Sequence, residues 1–181
     1  MLEVSKERCV GQINDYTRWK NVWGEVHDWF EIIIPDLVAA HPVKAVGLQY
    51  TDVFHWRADK KTFDVRKVLR EGSPYLPANA FNVESLWHSN HGFLTTRETP
   101  SKHRLLENIN VNLLDELGQL SLVISTMHRA EFDPVWDWKD VNAALNLLMP
   151  DLHERNKLIL ASVLNDETGK KINLHGKVGE S

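Results

Sequence analysis

One cysteine, Cys9, stands among 181 residues. An intramolecular disulfide is therefore excluded, and so is a zinc site built from several thiolates. Such usage fits a reducing compartment. Long apolar runs are missing too. The greasiest stretch, WFEIIIPDLVAA at 29–40, is broken by Glu31, Pro35 and Asp36 and is too short to span a bilayer. The opening MLEVSKERCVGQ lacks the apolar segment of a secretory signal. A soluble, cytoplasmic protein without membrane contact is expected. Charge of one sign is also scarce: the formal net charge is −4 and the pI about 6.1. A weakly acidic surface gives no long-range attraction to phosphate backbones, which argues against generic nucleic-acid binding. There is no glycine-rich phosphate loop, no G-x-S-x-G elbow and no dinucleotide fingerprint. No catalytic residue, cofactor or metal ligand is assigned on these grounds.

What is present is a globular composition, 43% hydrophobic and 25% charged, at a length that suits one domain. Residues 3–13 read as a short first strand. Thr17 then caps a helix on which Trp19, Val22, Trp23, Val26, Phe30, Ile33, Ile34 and Leu37 recur at three- and four-residue steps, with Trp29 on the same stripe. Residues 44–57 form a strand, and TFDVRKVLR at 62–70 a short helix. EGSPYLPANAFN at 71–82 is a loop, the segment expected to move most. ESLWHSN and GFLTTRE are either a hairpin turning at His91-Gly92 or one long strand. LLENINVNLL at 105–114 alternates, and LGQLSLVISTMHRAEF at 117–132 pairs with it through a turn at DELG. Asp137 caps a helix carrying Val141, Ala144, Leu145, Leu148 and Met149. Pro150 opens a second one with Leu152, Ile159, Leu160 and Val163. The order of elements is α+β: an antiparallel sheet of about five strands, with two long amphipathic helical segments packed on one face. Residues 1–172 are one domain and 173–181 a flexible tail.

The clearest anomaly is GLQYTDVFHW at 47–56. Alternation puts Asp52 in line with Val46, Leu48, Tyr50, Phe54 and Trp56. A carboxylate among apolar side chains is costly unless it is hydrogen-bonded or paired. Asp52 is therefore expected to be mostly buried, to accept a hydrogen bond, and to have a structural role. His128 ends the apolar face of another strand after Leu120, Leu122, Ile124 and Thr126, and the sheet order can bring the two together. His55 lies on the opposite face from Asp52, with Gln49, Thr51 and Val53. His88 and His91 in WHSNHG fall on opposite faces of a strand, a poor arrangement for one metal; a tight turn would let them converge, with Glu84 or His103 as the third ligand. These five residues, Asp52, His128, His55, His88 and His91, are the candidates for a pocket or polar cluster. YTRWKNVW at 16–23 resembles a base-stacking surface, but Trp19 and Trp23 share the stripe of Phe30 and Ile33 and read as core. VWDWKD at 135–140 reads as a hydrophobic staple before a helix, with a lid or an interface anchor as the alternatives.

Two stretches carry a resemblance. VKAVGLQYTDVF at 43–54 is similar to a strand motif of the form vgLRYiN, and LHERNKLILASVLNDETGKKI at 152–172 to a closing helix of the form LH…F…lTde. Both motifs resemble those of a sporadically distributed family of uncharacterised bacterial and archaeal proteins. Gln49 stands where that family usually has Arg, and Asp52 where it usually has Asn. The family's usual N-terminal strand–helix segment is expected to be absent here. The resemblance implies an α+β fold and a prokaryotic protein. It implies no activity.

The function expected is a non-enzymatic binding or protein-interaction domain, with a homodimer as one form of partnership. The alternative is a small-molecule-binding domain or enzyme with a pocket between sheet and helices near Asp52 and His128.

Overall fold

The computed structural model describes residues 1–38, 42–83, 85–99 and 102–174, with backbone alone at Val38 and Trp138. The chain opens with a hairpin, β1 (Leu2–Val4) and β2 (Cys9–Gly11). It continues through α1 (Trp19–Val38), β3 (Val43–His55), β4 (Trp87–Arg97), β5 (His103–Glu116), β6 (Gln119–Trp136), α2 (Trp138–Val163) and α3 (Asp166–Lys171). β3 to β6 make one antiparallel sheet in the order β3-β6-β5-β4. The fold is α+β, and the principal sheet has four strands where about five were expected. The expected first strand is instead a separate two-stranded hairpin.

Local chemistry explains the long central strands. Glu116 faces Gln119 across a two-residue turn at Leu117-Gly118, and both turn residues have positive φ, 51° and 88°. That is the turn whose twist suits a tight hairpin, and Gly118 takes the left-handed position at no steric cost. WHSNHGFLTTR runs as one strand without turning at His91-Gly92. Asp137 caps α2 through its side chain to the amide of Asp140, as its position predicts. The helix then runs through Pro150 without breaking. A proline forfeits one helical hydrogen bond. Here Leu148, Met149 and Leu152 on either side of it are buried, and that packing keeps the helix continuous.

α2 covers one face of the sheet. Two apolar clusters fill the space between them. One joins Ile109, Val111, Leu113, Leu122 and Ile124 to Ile159, Leu160 and Val163. The other joins Leu105, Ala130 and Phe132 to Val141, Leu145, Leu148 and Leu152. The 71–82 segment is no free loop. Leu76, Ala80 and Phe81 are buried in the first cluster, and residues 78–81 form a 3-10 turn. The 62–70 stretch makes 3-10 turns in place of a helix, and Leu69 bridges to Leu164. Leu174 packs against the same cluster, so the described start of the expected tail is anchored; 175–181 lie outside the described residues.

α1 departs most from expectation. It leans mainly on α2 and on β2. Gly11 allows the close approach of β2, since a Cβ there would lie 2.9 Å from Val26 Cγ1. Trp19 and Trp23 stack together at the rim of the second cluster and are half-buried. Trp29, Phe30, Ile33, Ile34 and Leu37 are also half-buried, but belong to neither cluster. No helix among the described residues is long and apolar enough to cross a membrane.

Candidate functional site

The two apolar clusters are separated by a polar seam that crosses the sheet. On β5 the buried face reads Leu105, Glu107, Ile109. On β6 it reads Ile124, Thr126, His128, Ala130, and on β3 Leu48, Tyr50, Asp52, Phe54. Arg155 and Asn156 of α2 lie over it, one turn after Leu152 and one before Ile159. At each crossing the strand or helix keeps its period but places a polar side chain in the apolar phase.

The middle of the seam is a closed network. Glu107 and His128 are register partners on β5 and β6. The Glu107 carboxylate lies 3.2 Å from His128 Nδ1 and accepts from Arg155 Nε at 3.0 Å, with Arg155 Nη2 on its second oxygen. Thr126 Oγ1 donates to Asn156 Oδ1. Glu107, Thr126, His128 and Asn156 are all buried. Burial pushes the Glu107 carboxyl upward, but the hydrogen bonds from His128 and Arg155 outweigh it and hold the group at about 2. An ionised Glu107 accepts the Nδ1–H of His128, which leaves Nε2 as the remaining imidazole nitrogen. That atom is buried without a hydrogen-bond partner.

The β3 end of the seam is more open. Tyr50 Oη lies 2.8 Å from His153 Nδ1. His153 stacks on Trp19, with ring centroids 4.5 Å apart and planes 6° apart. Tyr16, 47% exposed, meets Tyr50 edge-on at 5.9 Å. Burial pushes both tyrosines and Asp52 upward and His153 downward, so each is held toward its neutral form. Asp52 does face the core, as alternation predicts, opposite Ile124. It is half-buried and not fully covered. Its Oδ2 is buried, and no donor reaches it among the described residues, contrary to the hydrogen bond expected. No buried donor therefore depends on it. Asp52→Leu is expected to shift unfolding free energy by less than about 1 kcal/mol, measured by urea titration.

The other candidates scatter. Asp52 and His128 share the seam, but His128 pairs in register with Leu48 and belongs with Glu107, while Asp52 belongs with Tyr16 and Tyr50. His55 lies on the outer sheet face, 2.8 Å from Ser121 Oγ. His88 is exposed on that same face. His91 is half-buried on the inner one, stacked at 6.4 Å on Phe93. His103 is buried beside Phe132 and pairs in register with Arg97, away from His91, which faces Ile109. Glu84 lies outside the described residues. His27, Asp28 and Glu31 on α1 each offer a ligand atom within 4.8 Å of the others, a grouping common among exposed acidic side chains without an ion.

The outer sheet face carries Gln49, Thr51, Asn108, Asn110, Ser125 and Met127 near its centre. A shallow depression of about 290 Å³ lies there. A smaller one of about 70 Å³ adjoins Arg70 and α3. Neither touches Asp52 or His128. Comparison with known protein families, with curated proteins and with solved structures finds no match to this chain.

Proposed function

We propose that the chain is a non-enzymatic protein-interaction domain, acting in the cytoplasm, whose docking element is the C-terminal half of α1. One observation carries this reading. The stripe of Phe30, Ile33, Ile34 and Leu37 is half-buried outside both apolar clusters, and Ile32 beside it is 75% exposed. These four positions follow i, i+3, i+4 and i+7, the spacing of a helix seated in an apolar groove. Apolar surface gathered in this way supports a protein partner. A second copy of the chain, giving a homodimer, is the simplest such partner. The most buried titratable cluster speaks against chemistry at the seam, since His128 is fully enclosed and no substrate reaches it.

The test compares the wild-type chain, an Ile33→Glu/Leu37→Glu variant, and Asn110→Lys on the outer sheet face as control. Light scattering reads self-association, and immobilised chains read proteins retained from a cell extract. Binding is expected to weaken on the order of a hundredfold in the helix variant and to persist in the control. Equal behaviour of all three contradicts the reading. A second reading, a small-molecule-binding domain, is favoured by one observation: the unpartnered Asp52 oxygen near Tyr16 and Tyr50.

A further inference from the structure

Asp52 lacks what a half-buried carboxylate needs. Its oxygens can only accept, so the group requires N–H or O–H donors or a cation. Oδ2 is buried with no hydrogen-bond partner, and burial is what raises the carboxyl. The β3 backbone beside it is engaged with β6 at Ile124. The Tyr50 hydroxyl does not reach Oδ2; it lies 2.8 Å from His153 Nδ1. What surrounds the carboxylate instead is aromatic. Tyr50 precedes it on the same face and Phe54 follows it, while Tyr16 stands edge-on to Tyr50. Tyr16 is 47% exposed, which places this corner of the seam within reach of solvent.

We infer that Asp52, Tyr16 and Tyr50 form a recognition site for an alkylammonium group, either a free amine or a lysine side chain. Such a group supplies the two things the site lacks, N–H donors and a positive charge. Ring faces attract the same cation. The charged groups around the site are compatible with it. From α2, Glu154 adds negative potential at Tyr50, Lys157 is held 3.0 Å from Glu154, and burial holds His153 toward its neutral form. Tyr16 before α1 and Tyr50 on β3 contribute uncharged phenols. Burial raises the Asp52 carboxyl, and a bound cation would lower it again by favouring the charged form. This inference extends the second reading and is independent of α1.

The experiment is an NMR titration of the full chain with n-butylammonium chloride and, separately, with Nα-acetyl-lysine amide, against sodium chloride at matched ionic strength. The Asp52 carboxyl carbon and the Tyr16 and Tyr50 rings are observed. Saturable shifts with an amine and none with sodium are expected, with the Asp52 titration moving to lower pH in the bound state. Asp52→Asn is expected to weaken binding at least about tenfold, and Tyr16→Ala to weaken it less. Response to butylammonium alone assigns the site to free amines, and response to both admits lysine side chains. No saturable shift up to about 100 mM, weaker than any specific recognition, overturns the inference. So does equal binding by a folded Asp52→Asn chain. The wild-type titration decides even where that variant does not fold.

Discussion

Glu107→Ala is expected to lower unfolding free energy by about 3–5 kcal/mol at neutral pH, the scale for removing one partner of a buried ion pair. The carboxylate is what His128 and Arg155 both donate to. Arg155 retains some access to solvent, with its side chain 23% exposed, and can turn outward. His128 cannot. Its Nδ1–H would be orphaned at a fully buried position whose Nε2 is already without a partner. Glu107→Gln keeps an acceptor for that N–H but loses the charge, so an intermediate loss is expected. Urea unfolding of the three chains measures this, and a loss below about 1 kcal/mol for Glu107→Ala would show that the network carries little stability.

Acid should remove the same contribution without mutation. Glu107 sits at about 2 in the folded protein against an ordinary value of 4.5. A folded value below the unfolded one means that the unfolded state takes the proton first. The stabilisation is therefore fully present above about pH 4.5 and is lost as pH falls toward about 2. The gap corresponds to roughly 3 kcal/mol. His153 acts in the same direction from its ordinary value of 6.5 downward, because burial lowers it in the fold. Asp52 opposes both, since its raised carboxyl makes protonation easier in the folded state. Comparing wild type with Glu107→Gln isolates the first effect: the variant's stability should change far less between pH 4.5 and 2. Parallel curves for the two chains would refute the assignment.

Much of this was legible in the sequence where one face repeats. Alternation placed Asp52 on the inner face, and DELG marked the β5–β6 turn. Asp137 marked the start of α2. The seam itself was only half legible. Asp52 and His128 stood out because each interrupts an apolar face, and Glu107 interrupts one in the same way between Leu105 and Ile109. That signal was masked by three asparagines alternating on the opposite face. Arg155, Asn156 and His153 gave no signal, because their partners are distant in the chain and long-range pairing leaves no local period. α1 misled for a physical reason. A stripe at helical spacing says that a helix has an apolar face, but not what covers it. Pro150 misled because packing on both sides outweighs one lost helical bond.

The most direct test is native-state hydrogen exchange of the isolated chain, residue by residue. If α2 and the sheet are the core and the α1 stripe is left for a partner, the amides of 30–37 should exchange by local opening, well below the global unfolding free energy. The amides of 152–163 should exchange only by global unfolding. Equal, global protection of 30–37 and 152–163 would place α1 in the core and contradict its role as the docking element.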